Sequence, residues 1–151
     1  MQIISEQKGE FLITTDKSKL DLKVIHNYLA NESYWSQNIP FEIVKAASEN
    51  SLNFGLFHKD QQIGYARVVS DFATTAYLAD VFVLKEFRGQ GLSKWLMKII
   101  MNHPDLQGLR RWMLATKDAH GLYKQFGWKP IASPERWMEK HNPDVYKKPS
   151  E

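Results

Sequence analysis

Val81-Phe82-Val83-Leu84-Lys85-Glu86-Phe87-Arg88-Gly89-Gln90-Gly91-Leu92-Ser93 runs from a β-forming segment into a helix through a turn that carries two glycines. Upstream, Thr75 to Leu84 is rich in β-formers and apolar residues and reads as a central strand. Downstream, Leu92, Trp95, Leu96, Ile99 and Ile100 recur at i, i+3, i+4, i+7 and i+8, while Lys94, Lys98 and Asn102 point elsewhere. That spacing predicts an amphipathic helix, which His103-Pro104 ends. A strand, a glycine-bearing turn and a helix in this order make an anion site. The first N–H groups of a helix have no partner inside it, and the helix dipole places about half a positive charge there. Gly89 and Gly91 clear side chains from the approach, and Arg88 adds a cation with fork geometry. A tight turn needing positive φ would use the same two glycines, so neighbouring sequence decides between the readings.

Outward from this loop the chain alternates strand and helix patterns without a repeat or a low-complexity stretch. Phe11 to Thr15 reads as a first strand, and Asp16 or Ser18 as the cap of a helix with Leu22, Ile25, Tyr28 and Leu29 on one face. Asn31 to Pro40 has loop composition but holds Tyr34 and Trp35; Phe41 to Ala47 looks helical. Leu52 to His58 and Gln62 to Val69 form a predicted hairpin around Lys59-Asp60-Gln61. Leu109 to Ala115 is a further strand. Asp118 is the expected cap of a short helix with Ala119, Leu122, Tyr123 and Phe126 on one face and Gly127 as its stop. Strands around Trp128 to Ala132 and Arg136 to His141 would complete the sheet, and a polar tail covers 147–151.

Composition narrows the function classes. A chain of 151 residues fits a single domain spanning 1–151, and 43% hydrophobic with 25% charged residues is ordinary for a globular protein. No apolar run approaches membrane-span length, and the first residues lack a basic segment followed by an apolar one, so the expectation is a cytoplasmic protein without a membrane partner. Cysteine is absent, which excludes disulfides, thiolate zinc sites and a cysteine acyl-enzyme. The five histidines are scattered, so no metal is expected. The net charge of +3 lacks a polybasic block, and no nucleic-acid partner is expected. The phosphate loop ending in Gly-Lys-Ser/Thr and the three-glycine dinucleotide fingerprint are both missing.

What remains is specific. Val81 to Ser93 resembles the coenzyme A signature of the GNAT superfamily of N-acetyltransferases, in which a strand ending in valine leads into Gln/Arg-x-x-Gly-x-Gly/Ala. Arg88, Gly91 and Ser93 hold the defining positions, with serine in place of the usual last glycine or alanine. Ala119-His120-Gly121-Leu122-Tyr123-Lys124-Gln125-Phe126-Gly127-Trp128 resembles the family's later helix, Ala-x-x-Leu-Tyr-x-x-x-Gly-Phe. The resemblance implies an α/β fold with a mixed, mostly antiparallel sheet of about six to seven strands flanked by about four helices. It implies acetyl-CoA as co-substrate, with the backbone of Val81, Phe82 and Val83 on the pantetheine arm. Arg88, Gly89, Gln90, Gly91, Leu92 and Ser93 would bind the pyrophosphate, and a monomer or homodimer would act on a small-molecule or peptide amine.

Acyl transfer to an amine needs a neutral amine, a polarised carbonyl and a proton for the departing thiolate. Tyr123 matches the family's tyrosine near the coenzyme sulfur and is the expected general acid. Asp80, a carboxylate in the apolar run Tyr77 to Val83, has two readings: the base that takes the amine proton, or a structural carboxylate hydrogen-bonded to a neighbouring loop. Where some relatives place an acid and an asparagine, this chain has Arg111 and Thr116. Tyr34 and Trp35 are candidates for the acceptor pocket, or for a cap over the core. The expected activity is N-acetyl transfer by direct attack in a ternary complex. The alternative is a non-catalytic acyl-CoA-binding sensor or regulatory module.

Overall fold

The chain opens with a hairpin that its apolar pattern hides. In the computed structural model, which describes residues 1–147, β1 (Ser5–Lys8) pairs antiparallel with β2 (Phe11–Thr14) around Gly9. All four residues of β1 are exposed, so the strand has no hydrophobic alternation to reveal it. Polar contacts fix it instead: Ser5 Oγ meets Thr14 Oγ1 at 2.7 Å, and the Trp95 indole donates to Glu6 at 3.2 Å.

Six strands follow one another across the sheet in sequence order. After β2 come β3 (Leu52–His58), β4 (Gln61–Ser70), β5 (Thr75–Val83) and β6 (Arg111–Met113). Every neighbouring pair is antiparallel except β5 and β6, which are parallel. Parallel pairing needs a crossover, and α3 (Leu92–Met101) provides it. The helix lays Leu92, Trp95, Leu96, Met97, Ile99 and Ile100 on the sheet, as its periodicity predicts, each contributing roughly 1.5–3 kcal/mol of burial. On the opposite face α1 (Leu22–Asn31) and α2 (Phe41–Glu49) cover Tyr65 and Phe82 with Ile25, Tyr28, Leu29, Ile39 and Val44. The fourth helix, α4 (His120–Lys124), sits beyond β6.

Three expectations are corrected. Asp21, not Asp16 or Ser18, caps α1, accepting from the N–H groups of Lys23 and Val24; Asp16 caps only a three-residue 3-10 turn at Lys17–Lys19. Leu20 is extended between the two, and the Asp21 N–H is held by Gln62 Oε1 at 2.7 Å, which separates turn from helix. Asp118 does not cap α4; Ala119 does, with its N–H on Thr116 Oγ1 at 3.0 Å. No strand forms at 128–132 or 136–141. Pro130 and Pro134 each remove a main-chain donor, and the segment holds on through aromatic contacts instead. Trp128 packs on Trp112 with ring centroids 5.7 Å apart, and Arg111 lies 4.7 Å over Trp137. The sheet therefore ends at β6, which is itself shorter than the predicted 109–115. The proposed tail at 147–151 lies outside the described residues beyond Lys147.

Candidate active site

The sheet opens where β5 and β6 part. The two strands pair only at Thr75, Ala76 and Tyr77 against Arg111, Trp112 and Met113. From Leu78 onward, no strand among the described residues pairs with β5 on that side. Leu84 N–H bonds Ile63 O on β4 at 2.8 Å. Successive residues of a strand turn their main-chain groups to opposite sides, so Val81 and Val83 direct theirs away from β4 and into the opening. The Val83 carbonyl is taken by Arg88 Nε at 2.9 Å. Side chains alternate too: Val81 and Val83 pack on the α3 face, whereas Phe82 stacks on Tyr28 at 4.0 Å on the α1 face.

A 3-10 turn at Lys85–Phe87 leads from β5 to the glycine loop, an intervening turn the strand-to-loop reading leaves out. Gly89 and Gly91 have φ of 83° and 78°, and a Cβ at either would meet no protein atom within 4 Å. Backbone conformation therefore requires both glycines, and the space before them stays open. Gly91 is the N-cap of α3 and no side chain caps the helix. Among the described residues, no acceptor holds the N–H groups of Gly89 through Lys94. These donors and the open side of β5 form one continuous rim. Arg88 turns two nitrogens inward: Nε binds Val83 O and Nη2 donates to the Tyr28 hydroxyl at 3.0 Å. Two of its nitrogens brace the loop against β5 and α1 rather than projecting toward a phosphate.

Across the opening stands Tyr123, on α4 and 8% exposed. Burial pushes its phenol up to about 12, and the neighbouring Tyr34 phenol and Asp118 carboxylate add to the effect. The group is thus a neutral hydrogen-bond donor through the whole physiological range. His120, one turn earlier on the helix, is exposed.

The α1–α2 loop spans the same opening. The Tyr34 hydroxyl accepts the Lys117 N–H at 2.8 Å, and the Lys117 ammonium lies 5.6 Å over the Tyr34 ring. Trp35 packs edge-on against Tyr34 at 5.0 Å and donates its indole N–H to Asp80 Oδ1 at 2.9 Å. Asp80 Oδ2 receives Arg67 Nε at 2.8 Å, and Arg67 Nη1 reaches Ser51 Oγ at 3.1 Å. Asp80 thus makes the loop contact of the structural reading, and its two oxygens hold donors that compete with an amine. Its φ of 54° sits at a bulge where β4 and β5 shift register between Tyr65 and Arg67. A left-handed residue in mid-strand costs of order 1–3 kcal/mol.

The structure therefore brings together Tyr34, Trp35, Asp80, Val81, Val83 and Tyr123 from three separate stretches of chain. The sequence places Tyr28 only on the apolar face of a helix and gives Arg67 no role. Arg67 carried a signal, being a charge in the apolar run of β4. A small cavity of about 100 Å³ under α1 and α2 is lined by Ile39, Val44, Tyr65, Arg67, Asp80 and Tyr146. A larger open groove of about 580 Å³, beside Thr15, Glu49 and Phe72, contains none of the candidate residues. Among the described residues, no three potential ligands gather as a metal site, and no helix is long and apolar enough to cross a membrane.

The sequence model of the acetyltransferase (GNAT) family matches residues 22–128, from α1 to just past α4. The chain belongs to the GNAT family of acetyltransferases. It is 30% identical over 145 residues to FG08082 of Gibberella zeae, a protein named for acetyltransferase similarity, covering 81% of each chain. A crystal structure of a GNAT-family protein from Xanthomonas campestris pv. campestris is 49% identical, with a TM-score of 0.89 over 91% of this chain and 97% of that one. A GNAT acetyltransferase from Elizabethkingia anophelis, solved with acetyl-CoA bound, shares the fold at 15% identity, with a TM-score of 0.61 over 87% of this chain and 88% of that one.

Proposed function

We propose that this protein is an N-acetyltransferase that moves the acetyl group of acetyl-CoA to a primary amine by direct attack in a ternary complex. The observation that carries the reading is the rim of unpartnered main-chain donors. It runs from Gly89–Lys94 along the open side of Val81 and Val83 to a neutral phenol at Tyr123. Diphosphate oxygens suit the helix end, an amide-bearing arm suits a strand edge, and the thioester then lies between β5 and α4. Acetyl-CoA bound by the Elizabethkingia protein, which has the same fold, supports acetyl-CoA as the donor.

The amine nitrogen forms a bond to the thioester carbon, the carbon–sulfur bond breaks, and the sulfur leaves as thiolate. A main-chain N–H on the open side of β5, at Val81 or Val83, polarises the carbonyl. Tyr123 acts on the sulfur. With its pKa pushed up to about 12, against about 8.5 for an ordinary thiol, outright proton transfer from phenol to thiolate runs uphill. Its role is to donate a strong hydrogen bond to the developing thiolate, and the proton the amine loses balances the sulfur. Attack without a protein thioester follows from the absence of cysteine.

The test is to mix the protein with acetyl-CoA and a panel of polyamines, amino acids, aminoglycosides and peptides, and to follow free thiol. The protein adds no thiol background. Amine-dependent release, with the acetylated amine found by mass spectrometry, supports the reading. Saturable coenzyme binding without release for any amine would replace it with a non-catalytic acyl-CoA-binding module.

A further inference from the structure

Building on the acetyltransferase reading above, we propose that Asp80 is a positioning residue: through Trp35, its carboxylate latches the α1–α2 loop across the mouth of the cleft. The loop is tied at two adjacent residues to opposite banks. Trp35 reaches the β5 bank at Asp80, and Tyr34 reaches the α4 bank at the Lys117 N–H. Burial does not hold these rings in place, since Tyr34 is 46% and Trp35 39% exposed. Directional hydrogen bonds do. The β5 anchor is rigid, because Arg67 Nε holds the second oxygen of Asp80 while Nη1 is fixed on Ser51, whose own hydroxyl bonds Ala47 O at 2.7 Å.

The residue type follows from this arrangement. Two donors, an indole N–H and a guanidinium N–H, arrive at the two oxygens of one side chain. Only a carboxylate accepts on both; an amide must set its NH2 against one of them. The left-handed backbone of Asp80 is the other half of the device. Among the described residues, the other non-glycine positions with positive φ, Asn38, Lys59 and Phe72, lie outside helices and strands, whereas Asp80 lies within a strand at a bulge. Bulges re-aim a side chain. Here the bulge accompanies an acid that meets the loop.

A latch and a base make opposite forecasts for Trp35. The variants Asp80→Asn, Trp35→Phe and the double variant should be assayed for kcat and KM of the acceptor, for the pH profile of kcat, and for amide hydrogen exchange at residues 32–39. Phenylalanine keeps an aromatic ring against Tyr34 and Tyr28 while removing the indole donor. For a latch, each single variant raises acceptor KM on the order of tenfold, the scale of one lost charge-assisted hydrogen bond. The kcat pH profile stays that of the wild type, exchange at 32–39 speeds up, and the double variant is no worse than either single one.

The proposal is overturned if Asp80→Asn abolishes kcat and erases the acid limb while Trp35→Phe behaves as wild type. It is equally overturned if neither variant changes exchange at 32–39. Hydrogen exchange needs no substrate. A wild type that releases no thiol with any amine defeats the enzymatic reading, and the exchange data still decide whether the latch exists.

Discussion

Arg88 Nε donates to the main-chain carbonyl of Val83 at 2.9 Å, so the first residue of the glycine loop is fastened to the last residue of β5. The same guanidinium reaches the Tyr28 hydroxyl on α1. Loop, strand and helix are thereby held in one relative placement, and the donors that would grip a diphosphate stand at a fixed distance from the edge that would receive the rest of the coenzyme. Arg88→Ala should weaken acetyl-CoA binding roughly tenfold by calorimetry. Arg88→Lys should recover little, because an ammonium cannot reproduce two directed contacts from a planar fork.

Gly91 and Gly121 should respond in opposite directions to alanine. Gly91 has φ of 78° at the N-cap of α3, where alanine is strained and destabilises by about 1 kcal/mol. Gly121 lies inside α4, does not have positive φ, and has open space where a Cβ would go. Alanine there should stabilise by about 0.5–1 kcal/mol. Urea melts of the two variants check the pair.

Tyr123→Phe should lower kcat on the order of a hundredfold while leaving acetyl-CoA affinity unchanged, since the lost hydroxyl acts on the leaving sulfur. The raised pKa sets the pH behaviour. The unfolded phenol titrates near 10 and the folded one at about 12, so burial of this group contributes stability below pH 10 that is lost as pH rises toward 12. Tyr65 is pushed up as well, by burial first and then by Asp80. Tyrosinate absorbance should therefore lose one late-titrating phenol in Tyr123→Phe.

His103 should make the fold acid-sensitive. It is buried, its Nδ1 accepts the Asp105 N–H at 3.1 Å, and burial lowers its pKa from the ordinary 6.5. The unfolded chain then binds the proton first. The contribution is present above about pH 6.5 and lost as pH falls through the lowered value. Urea midpoints should drop between pH 7 and pH 5, and less so in a variant with His103 replaced by glutamine.

Legibility in the sequence followed from how each element is held. Helix α3 buries one apolar face and its period of 3.6 marks it directly, while β3 to β5 are marked by their runs of apolar and β-forming residues. Strand β1 is held by polar contacts and pairing, and carries no such mark. The segment after α4 misleads in the opposite direction: its aromatic residues look like strands, but its prolines and its stacking on Trp112 and Arg111 make irregular backbone. Within the site, the glycine loop could be read because positive φ restricts residue type. Asp80 announced itself as an acid among apolar neighbours. Its partners Arg67 and Trp35 lie 13 and 45 residues away, and only the fold shows that they meet.

If one rim, from the free N–H groups of Gly89–Lys94 to the open edge of Val81 and Val83, holds the coenzyme, amide chemical shifts followed during titration with acetyl-CoA will map it. The largest changes should fall at 81–83 and 88–94 and saturate together with a single dissociation constant. Saturable binding whose shifts cluster elsewhere, for instance in the groove by Thr15 and Phe72, would contradict the account.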